Sequence, residues 1–155
     1  MNASRSALRL SLASMLLAAS LPLAAVHEPG HRVVDGMSIF IGVMPAQAIA
    51  KRGGVEATMH GGAGGAHSYH VMVALFDHAD GQRITDARVT ATVGEIGMAK
   101  ESEPLEPMHA GGVVTYGNYF TLPRAGLYRI RIEIHVPGES RSVRTWFDYR
   151  VQRDR

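Results

Sequence analysis

Apolar and polar residues alternate strictly over Leu127–Val136 (LYRIRIEIHV), where Tyr, Ile and Val recur at every second position and Arg, Glu and His lie between them. Successive side chains of a β-strand project from opposite faces, so this period of two predicts a strand with one buried and one solvated face. Val143–Val151 (VRTWFDYRV) has the same pattern. The Pro137-Gly138 pair between the two segments predicts a turn.

Four further short segments have the apolar, β-branched and aromatic composition of strands: Met37–Met44, Tyr69–Asp77, Arg88–Val93 and Tyr116–Leu122. Residues 78–81 carry an Asp-Gly turn signal, residues 46–51 favour a short helical turn, and Gly97–Gly112, with two prolines, predicts a loop. Six or seven short strands separated by turns predict an all-β fold, specifically an antiparallel immunoglobulin-like β-sandwich of about seven strands.

The N-terminal segment has the pattern of an export signal. Arg5 and Arg9 precede an uncharged, mostly apolar run from Leu10 to Ala25. This arrangement predicts a secretory signal peptide over residues 1–25, and the run is shorter than the roughly 20 apolar residues of a transmembrane helix. A retained membrane anchor is the alternative. We therefore expect a periplasmic protein with a flexible stretch at residues 26–36 and a sandwich domain at 37–155.

The net charge of +2 comes from that segment, since Arg5 and Arg9 lie in it and no acidic residue does. Without it, 14 basic residues (16 less those two) balance 14 acidic ones. No cluster of Lys or Arg with aromatic residues is evident, so nucleic acid is not expected as a partner.

Catalytic patterns are weak in this chain of 155 residues. It has no Cys, which excludes disulfides, thiolate metal sites and a Cys nucleophile. Ser68 is close to His67 and His70 in sequence, but no GxSxG turn is present. The glycine-rich stretch at residues 61–66 lacks the Lys-Ser/Thr of a phosphate-binding loop. We expect a binding protein, not an enzyme.

Histidine and methionine provide the clearest chemical signal, since all eight His and six of the eight Met follow residue 25. A mixed imidazole and thioether set favours copper, because Met sulfur suits Cu(I) and His binds either copper state. Iron remains an alternative, because Glu56 and the acidic run at residues 101–106 offer carboxylates. The candidate metal ligands are Met59, His60, His67, His70, Met108 and His109.

His70 and Met72 are two residues apart on a predicted strand, so their side chains should leave the same face about 6–7 Å apart. The glycines at 61–65 impose little steric restriction, which would let His60 and His67 fold over that face. Met72 has apolar neighbours on both sides, which favours a packing role over metal binding. Met108 would have to arrive from another strand connection.

Two stretches resemble known families. His70–Val93 resembles the YtkA-like and FixH-like exported β-sandwich domains, in which a strand, a "D…G…I.DA.V" turn and a second strand follow one another. Leu105–Ile134 resembles that pattern and also the periplasmic iron-transport accessory proteins that bind copper. Their "PM…YGN…L…G.Y" run is matched by Pro107-Met108, Tyr116-Gly117-Asn118 and Gly126-Leu127-Tyr128.

The second resemblance implies that Met108 is a metal ligand and, more loosely, that His60 is another. Thr115 stands where the family has a histidine before "YG", and no equivalent of its C-terminal histidine is present. His67, His70 or His109 would have to replace them.

These observations favour a periplasmic metal-binding protein, for copper in the first place, that acts in metal uptake, delivery or homeostasis. Its expected partners are the metal ion and a membrane transporter or metal-acceptor protein. The alternatives are a non-catalytic protein-interaction sandwich of the cell envelope and an Fe(II) transport accessory protein. The sequence leaves the oligomeric state open.

Overall fold

The computed structural model describes residues 30–52, 65–110 and 112–152. The predicted signal peptide, Met59, His60 and most of the glycine-rich stretch lie outside these residues. Within them, no helix has the length and hydropathy that crossing a membrane requires. The described elements are β1 (His31–Val34), β2 (Met37–Pro45), α1 (Ala46–Arg52), β3 (Ser68–Asp77), β4 (Arg88–Glu95), β5 (Glu101–Ala110), β6 (Val113–Thr121), β7 (Gly126–His135) and β8 (Val143–Val151).

The strands pair antiparallel in the order β1-β2-β3-β6-β5-β4-β7-β8 and fold over as a sandwich. β4, β5 and β6 are successive neighbours, and β7 returns to lie beside β4, which is a Greek-key connection. This confirms the predicted all-β antiparallel sandwich, with eight described strands in place of about seven. The immunoglobulin-like subtype stays a prediction.

The core lies between the inward faces of the strands. On β7, Ile130, Ile132 and Ile134 are at most 1% exposed, which confirms the alternation predicted there. Val143 and Phe147 of β8, the cross-strand partners of Ile134 and Ile130, are buried on the same inward face, as the alternation of β8 predicts. The period of two therefore identified the inward face of both strands correctly.

Tyr116 fastens the connection between β3 and β4 to the core. Its hydroxyl donates to the Ile84 carbonyl at 3.2 Å and accepts from the Ala87 amide at 3.0 Å. Burial raises the pKa of Tyr116, so the hydroxyl stays protonated at neutral pH and keeps its donor role. The two hydrogen bonds therefore hold Tyr116, the residue before Gly117 on β6, against the connection between β3 and β4.

The expected loop at Gly97–Gly112 is wrong for most of its length, because residues 101–110 form β5. The first half of β5 pairs with β4 and the second half with β6, so each half has a single pairing partner. A strand paired on one side tolerates proline, whose missing N–H then costs no ladder bond. Pro104 and Pro107 therefore fit this strand, and the Asn118 side chain donates to the Pro104 carbonyl at 2.8 Å.

β1 lies within residues 26–36, where the composition predicts a flexible stretch. Its four residues are too few for a recognisable alternation, and tertiary contacts hold them. The His31 ring stacks on Phe40 with centroids 4.1 Å apart, and the Arg32 guanidinium lies 5.1 Å from the Trp146 ring on β8. The latter contact brings the first and last strands together.

The two short local predictions are confirmed. Residues 46–51 lie in α1, and the Asp-Gly segment forms a turn in which Gly81 adopts a φ of 72°. Asp77 Oδ1 accepts from the Ala79 amide at 2.7 Å, which closes the turn on its own side chain. This turn ends β3 and begins the connection to β4.

Candidate metal centre

His70 projects from the outer face of the sheet and is nevertheless buried. On β3, Val71, Val73 and Leu75 point into the core, so His70 and Met72 point outward. The His70 side chain is only 1% exposed. Its ring lies beside that of Tyr119, its cross-strand partner on β6, with centroids 4.7 Å apart and planes inclined by 37°. Tyr119 therefore limits how the imidazole can turn.

Met108 reaches the same outer face from β5. It pairs with Thr115 of β6, it is 1% exposed, and it does not belong to the main core cluster. An outward-facing residue with so little exposure must be covered by other parts of the chain. Met108 and His70 are thus two buried, potentially metal-binding side chains on one face, separated by β6.

Gly117 of β6 is the point at which the two side chains converge. A methyl group built on Gly117 would lie 2.5 Å from Met108 Cε, 2.8 Å from His70 Nε2 and 3.1 Å from His70 Cε1. The sum of the first two distances, 5.3 Å, is the upper limit on the separation of Met108 Cε and His70 Nε2. Gly117 has no positive φ, so glycine is needed here for space and not for backbone conformation.

The short helix α1 adds apolar surroundings on this side of the sheet. It follows β2 directly and packs against β2 and β3. Ala46 is 0% and Ile49 is 2% exposed, and neither belongs to the main core cluster. Ala46 and Ile49, like His70 and Met108, are therefore buried outside the main sandwich core.

Further outward positions around Gly117 bear side chains with metal-binding atoms. Met44 of β2 lies directly opposite His70, Met72 lies opposite Gly117, and Glu106 of β5 lies opposite Gly117 on its other side. Met44 and Met72 are half-buried and Glu106 is exposed. Residues in such opposite positions have Cβ atoms about 4.5–5.5 Å apart, which is within reach of these side chains.

The remaining predicted ligands have different placements. His67 is exposed just before β3, where its carbonyl accepts from the Leu122 amide at 2.9 Å. His109 is exposed and adjacent to Met108 on β5, so it projects from the opposite face of the strand. The structure thus brings together His70 and Met108 and does not bring His109 to them. Met59 and His60 lie outside the described residues.

Among the described residues, no three His, Asp or Glu side chains come together as a metal cluster. Met108 is the sulfur-containing side chain that the structure brings to His70. Charge is sparse here too. Glu106 is the one charged residue among the outward positions described on β3, β6 and the second half of β5.

The outer face of β7 and β8 differs sharply in its electrostatics. Arg129 donates to Asp148 through Nε and Nη2 at 2.8 and 3.0 Å, and Arg144 Nη2 lies 2.7 Å from Glu133 Oε1. The hydrogen bond from Arg129 lowers the pKa of Asp148, and that from Arg144 lowers the pKa of Glu133. These charges are solvated and paired, which does not suggest a metal site.

Sequence reasoning named His70 and Met108 among the candidate ligands and gave no role to Gly117 or Tyr119. Gly117 lies inside the "YGN" match, so the residue was visible although its function as a gap was not. Met72 was expected to pack in the core, and the structure places it on the outer face instead. A strand that is apolar on both faces does not reveal which of them is inward.

No protein-family model matches the chain, and no curated protein matches it. Among solved structures it is similar to a DUF4426 family protein from Pseudomonas aeruginosa, with a TM-score of 0.63 and 14% identity over 81% of this chain and 95% of that one. It is similar to the copper-reconstituted P19 protein of Campylobacter jejuni, with a TM-score of 0.60 and 13% identity over 79% and 92% of the two chains.

FetP from uropathogenic Escherichia coli strain F11 is a third neighbour, with a TM-score of 0.60 and 14% identity over 79% of this chain and 93% of that one. At identities this low, the structural similarities establish a shared fold and nothing finer. The similarity to P19 agrees in part with the predicted resemblance to copper-binding iron-transport accessory proteins, since P19 is seen with copper. The YtkA-like and FixH-like resemblance stays a prediction.

Proposed function

We propose that this protein is a periplasmic metal-binding protein that holds copper through His70 and Met108 and acts in metal uptake, delivery or homeostasis without catalysing a reaction. The observation that carries the proposal is the convergence of the two side chains over Gly117, where His70 Nε2 lies within 5.3 Å of Met108 Cε.

The separation suits a shared ion. Metal–nitrogen and metal–sulfur bonds near 2.0–2.3 Å keep two ligand atoms within about 4.5 Å of each other. The Met108 sulfur is one bond from Cε, and methionine has three rotatable side-chain bonds through which the sulfur can approach the imidazole. The thioether is what favours copper, because zinc is usually held by thiolate, imidazole or carboxylate ligands and magnesium by oxygen ligands.

The similarity of fold to P19 and FetP supports the proposal at the level of architecture. P19 is a protein seen with copper, and FetP was recombinantly expressed in the periplasm of Escherichia coli. The periplasmic location proposed for this chain rests on the export signal predicted at residues 1–25. Met59 and His60 remain candidates for further ligands. A membrane transporter or a metal-acceptor protein is the partner that such a role requires.

One observation favours each alternative. Glu106 lies opposite Gly117 and could give the site a carboxylate, which suits Fe(II) and a role in iron transport. Val33 and Phe40 are 45% and 41% exposed on the outer face of β1 and β2, which suits a protein-interaction sandwich of the cell envelope. The two roles are compatible with copper binding on the same domain.

Titration of the purified protein with Cu(I), Cu(II) and Fe(II) against competing chelators tests the proposal. We expect copper to bind, and His70→Ala and Met108→Leu each to weaken the same site by at least about tenfold, since even outer-shell changes cost 10–100-fold. The matched controls are His135→Ala and Met98→Leu, which alter residues elsewhere in the fold.

Two results would overturn the proposal. One is the absence of any binding tighter than micromolar for copper. The other is an equal effect of the site variants and the controls, which would place the copper elsewhere. Stronger binding of Fe(II) than of either copper ion, lost on Glu106→Gln, would transfer the site to the iron alternative.

A further inference from the structure

We infer that Met72 is a third ligand, so that His70, Met72 and Met108 form a nitrogen and two-sulfur site selective for Cu(I). This inference rests on the proposed function and specifies its ligand set and metal oxidation state. It assigns chemistry to a methionine whose sequence neighbours favour a packing role.

Met72 occupies the centre of a cross-strand row that contains two glycines. Gly42 of β2, Met72 of β3, Gly117 of β6 and Glu106 of β5 lie directly opposite one another in that order. Since cross-strand partners share a face, all four positions are outward. Met72 is the one member of this row flanked on both sides by positions that lack a side chain.

Neither neighbour of Met72 in this row has a side chain of its own that would stand between Met72 and the adjacent strands. Its Cε lies 3.6 Å from a methyl group built on Gly42, so the thioether leans toward β2 in this structure. On the other side, the space above Gly117 is where His70 Nε2 and Met108 Cε meet. Neighbouring strands are about 4.8 Å apart, and methionine has three rotatable side-chain bonds, so the sulfur of Met72 can turn from Gly42 to Gly117.

Met44 serves as an internal comparison, because it is another half-buried methionine on this face. It lies opposite His70 on β2, whereas His70 Nε2 is directed toward Gly117 on β6. β2 and β6 flank β3 on opposite sides. Met44 is therefore behind the imidazole relative to the proposed ion, and it should not coordinate.

This set of three ligands favours one oxidation state of copper. One imidazole and two thioethers are neutral and mostly soft, which favours Cu(I) over Cu(II) and over Fe(II). His70 and Met108 are each 1% exposed, and burying a singly charged ion among neutral ligands costs less than burying a doubly charged one. Glu106, the nearby carboxylate, is exposed.

Competition of the protein with a Cu(I)-specific chelator, in Met72→Leu and in the matched control Met44→Leu, tests this inference. Both changes conserve volume and are tolerated in packed sites. We expect Met72→Leu to weaken Cu(I) binding by at least about tenfold and Met44→Leu by less than about twofold. Cu(II) binding should change little in either variant.

Methyl NMR of carbon-13-labelled methionine provides a second readout. Addition of Cu(I) should shift the methyl resonances of Met72 and Met108 together at one equivalent, and those of Met44 and Met98 much less. The inference is overturned, and the proposed function stands, if three results come together. Met72→Leu binds Cu(I) as well as Met44→Leu does, the Met72 methyl resonance of the native protein does not move on addition of Cu(I), and His70→Ala and Met108→Leu lose copper. If the native protein binds no copper, both are overturned.

Discussion

The two outer faces of the sandwich begin from the same strand alternation and end in opposite environments. On β7 and β8 the outward residues include arginines and acids that pair in solvent, as Arg129 does with Asp148, together with the exposed Trp146. On β3, β6 and β5 the outward residues include His70 and Met108, both 1% exposed, with glycine between them. One face is charged and open, whereas the other is almost uncharged and covered.

This difference teaches that period-two patterning separates inward from outward positions without showing what lies over the outward ones. A buried polar group on an outward face costs free energy unless its surroundings compensate for it. The role that we propose for His70 is metal binding. The charged face shows the ordinary outcome for outward positions.

The largest effect on stability should follow from Met108→Ala in the metal-free protein. The side chain is fully buried, so its truncation leaves a cavity and should lower the free energy of unfolding by about 2–5 kcal/mol. Met98→Ala, at a residue 52% exposed, should change it by less than about 0.5 kcal/mol. Urea unfolding followed by tryptophan fluorescence measures both. Equal losses would show that Met108 is not in a closed region.

A smaller effect should distinguish two strand glycines on the same face. Gly117→Ala places a methyl group 2.8 Å from His70 Nε2, and because the imidazole moves as a rigid ring, we expect a loss of about 1–3 kcal/mol. Gly42→Ala meets only Met72 Cε at 3.6 Å, so it should be neutral or stabilising by about 0.4–1 kcal/mol.

Thermal and urea unfolding of the two variants make this comparison directly, and copper affinity adds to it. Gly117→Ala should also weaken Cu(I) binding, whereas Gly42→Ala should not. A Gly117→Ala variant as stable and as copper-competent as the native protein would mean that His70 and Met108 do not need the space over Gly117.

The smallest effect should come from the charged face and should depend on pH. Because the hydrogen bond from Arg129 lowers the folded-state pKa of Asp148 below its ordinary 3.8, the stabilisation is fully present above pH 3.8 and is lost as pH falls through the folded value. Asp148→Asn should therefore be slightly less stable than the native protein at pH 6 and should match it in strong acid. Urea midpoints across that range, at low and high salt, measure the difference.

Solvent exposure of this pair keeps the expected effect small, and added salt should reduce it further. A loss on Asp148→Asn that persists unchanged at low pH would show that the carboxylate charge is not its cause. A loss as large as that of Met108→Ala would remove the contrast between the two faces.

Much of the fold was predictable from sequence because β7 and β8 have strict alternation, and local pairs such as Asp80-Gly81 mark turns. The strand β5 was not predictable, because its prolines ordinarily exclude a strand and its two halves pair with different neighbours. β1 was not, because four residues give no period and its position depends on contacts such as Arg32 with Trp146. Both failures concern tertiary pairing that no local pattern encodes.

The candidate site was likewise predictable only as far as local sequence patterns reach. His70 and Met108 are unusual residue types that attract notice, and the "PM…YGN" resemblance points to Met108. The space over Gly117, the ring of Tyr119 against His70 and the outward orientation of Met72 depend on cross-strand register. His109 shows the converse, since adjacency to Met108 in sequence sends it to the opposite face of the strand.

X-ray absorption at the copper edge of the protein loaded with one equivalent of Cu(I) tests whether His70 and Met108 hold the metal. We expect a first coordination shell that contains both imidazole nitrogen and thioether sulfur, with the sulfur contribution reduced in Met108→Leu and the imidazole contribution lost in His70→Ala. A shell of nitrogen and oxygen alone, unchanged in both variants, would contradict it.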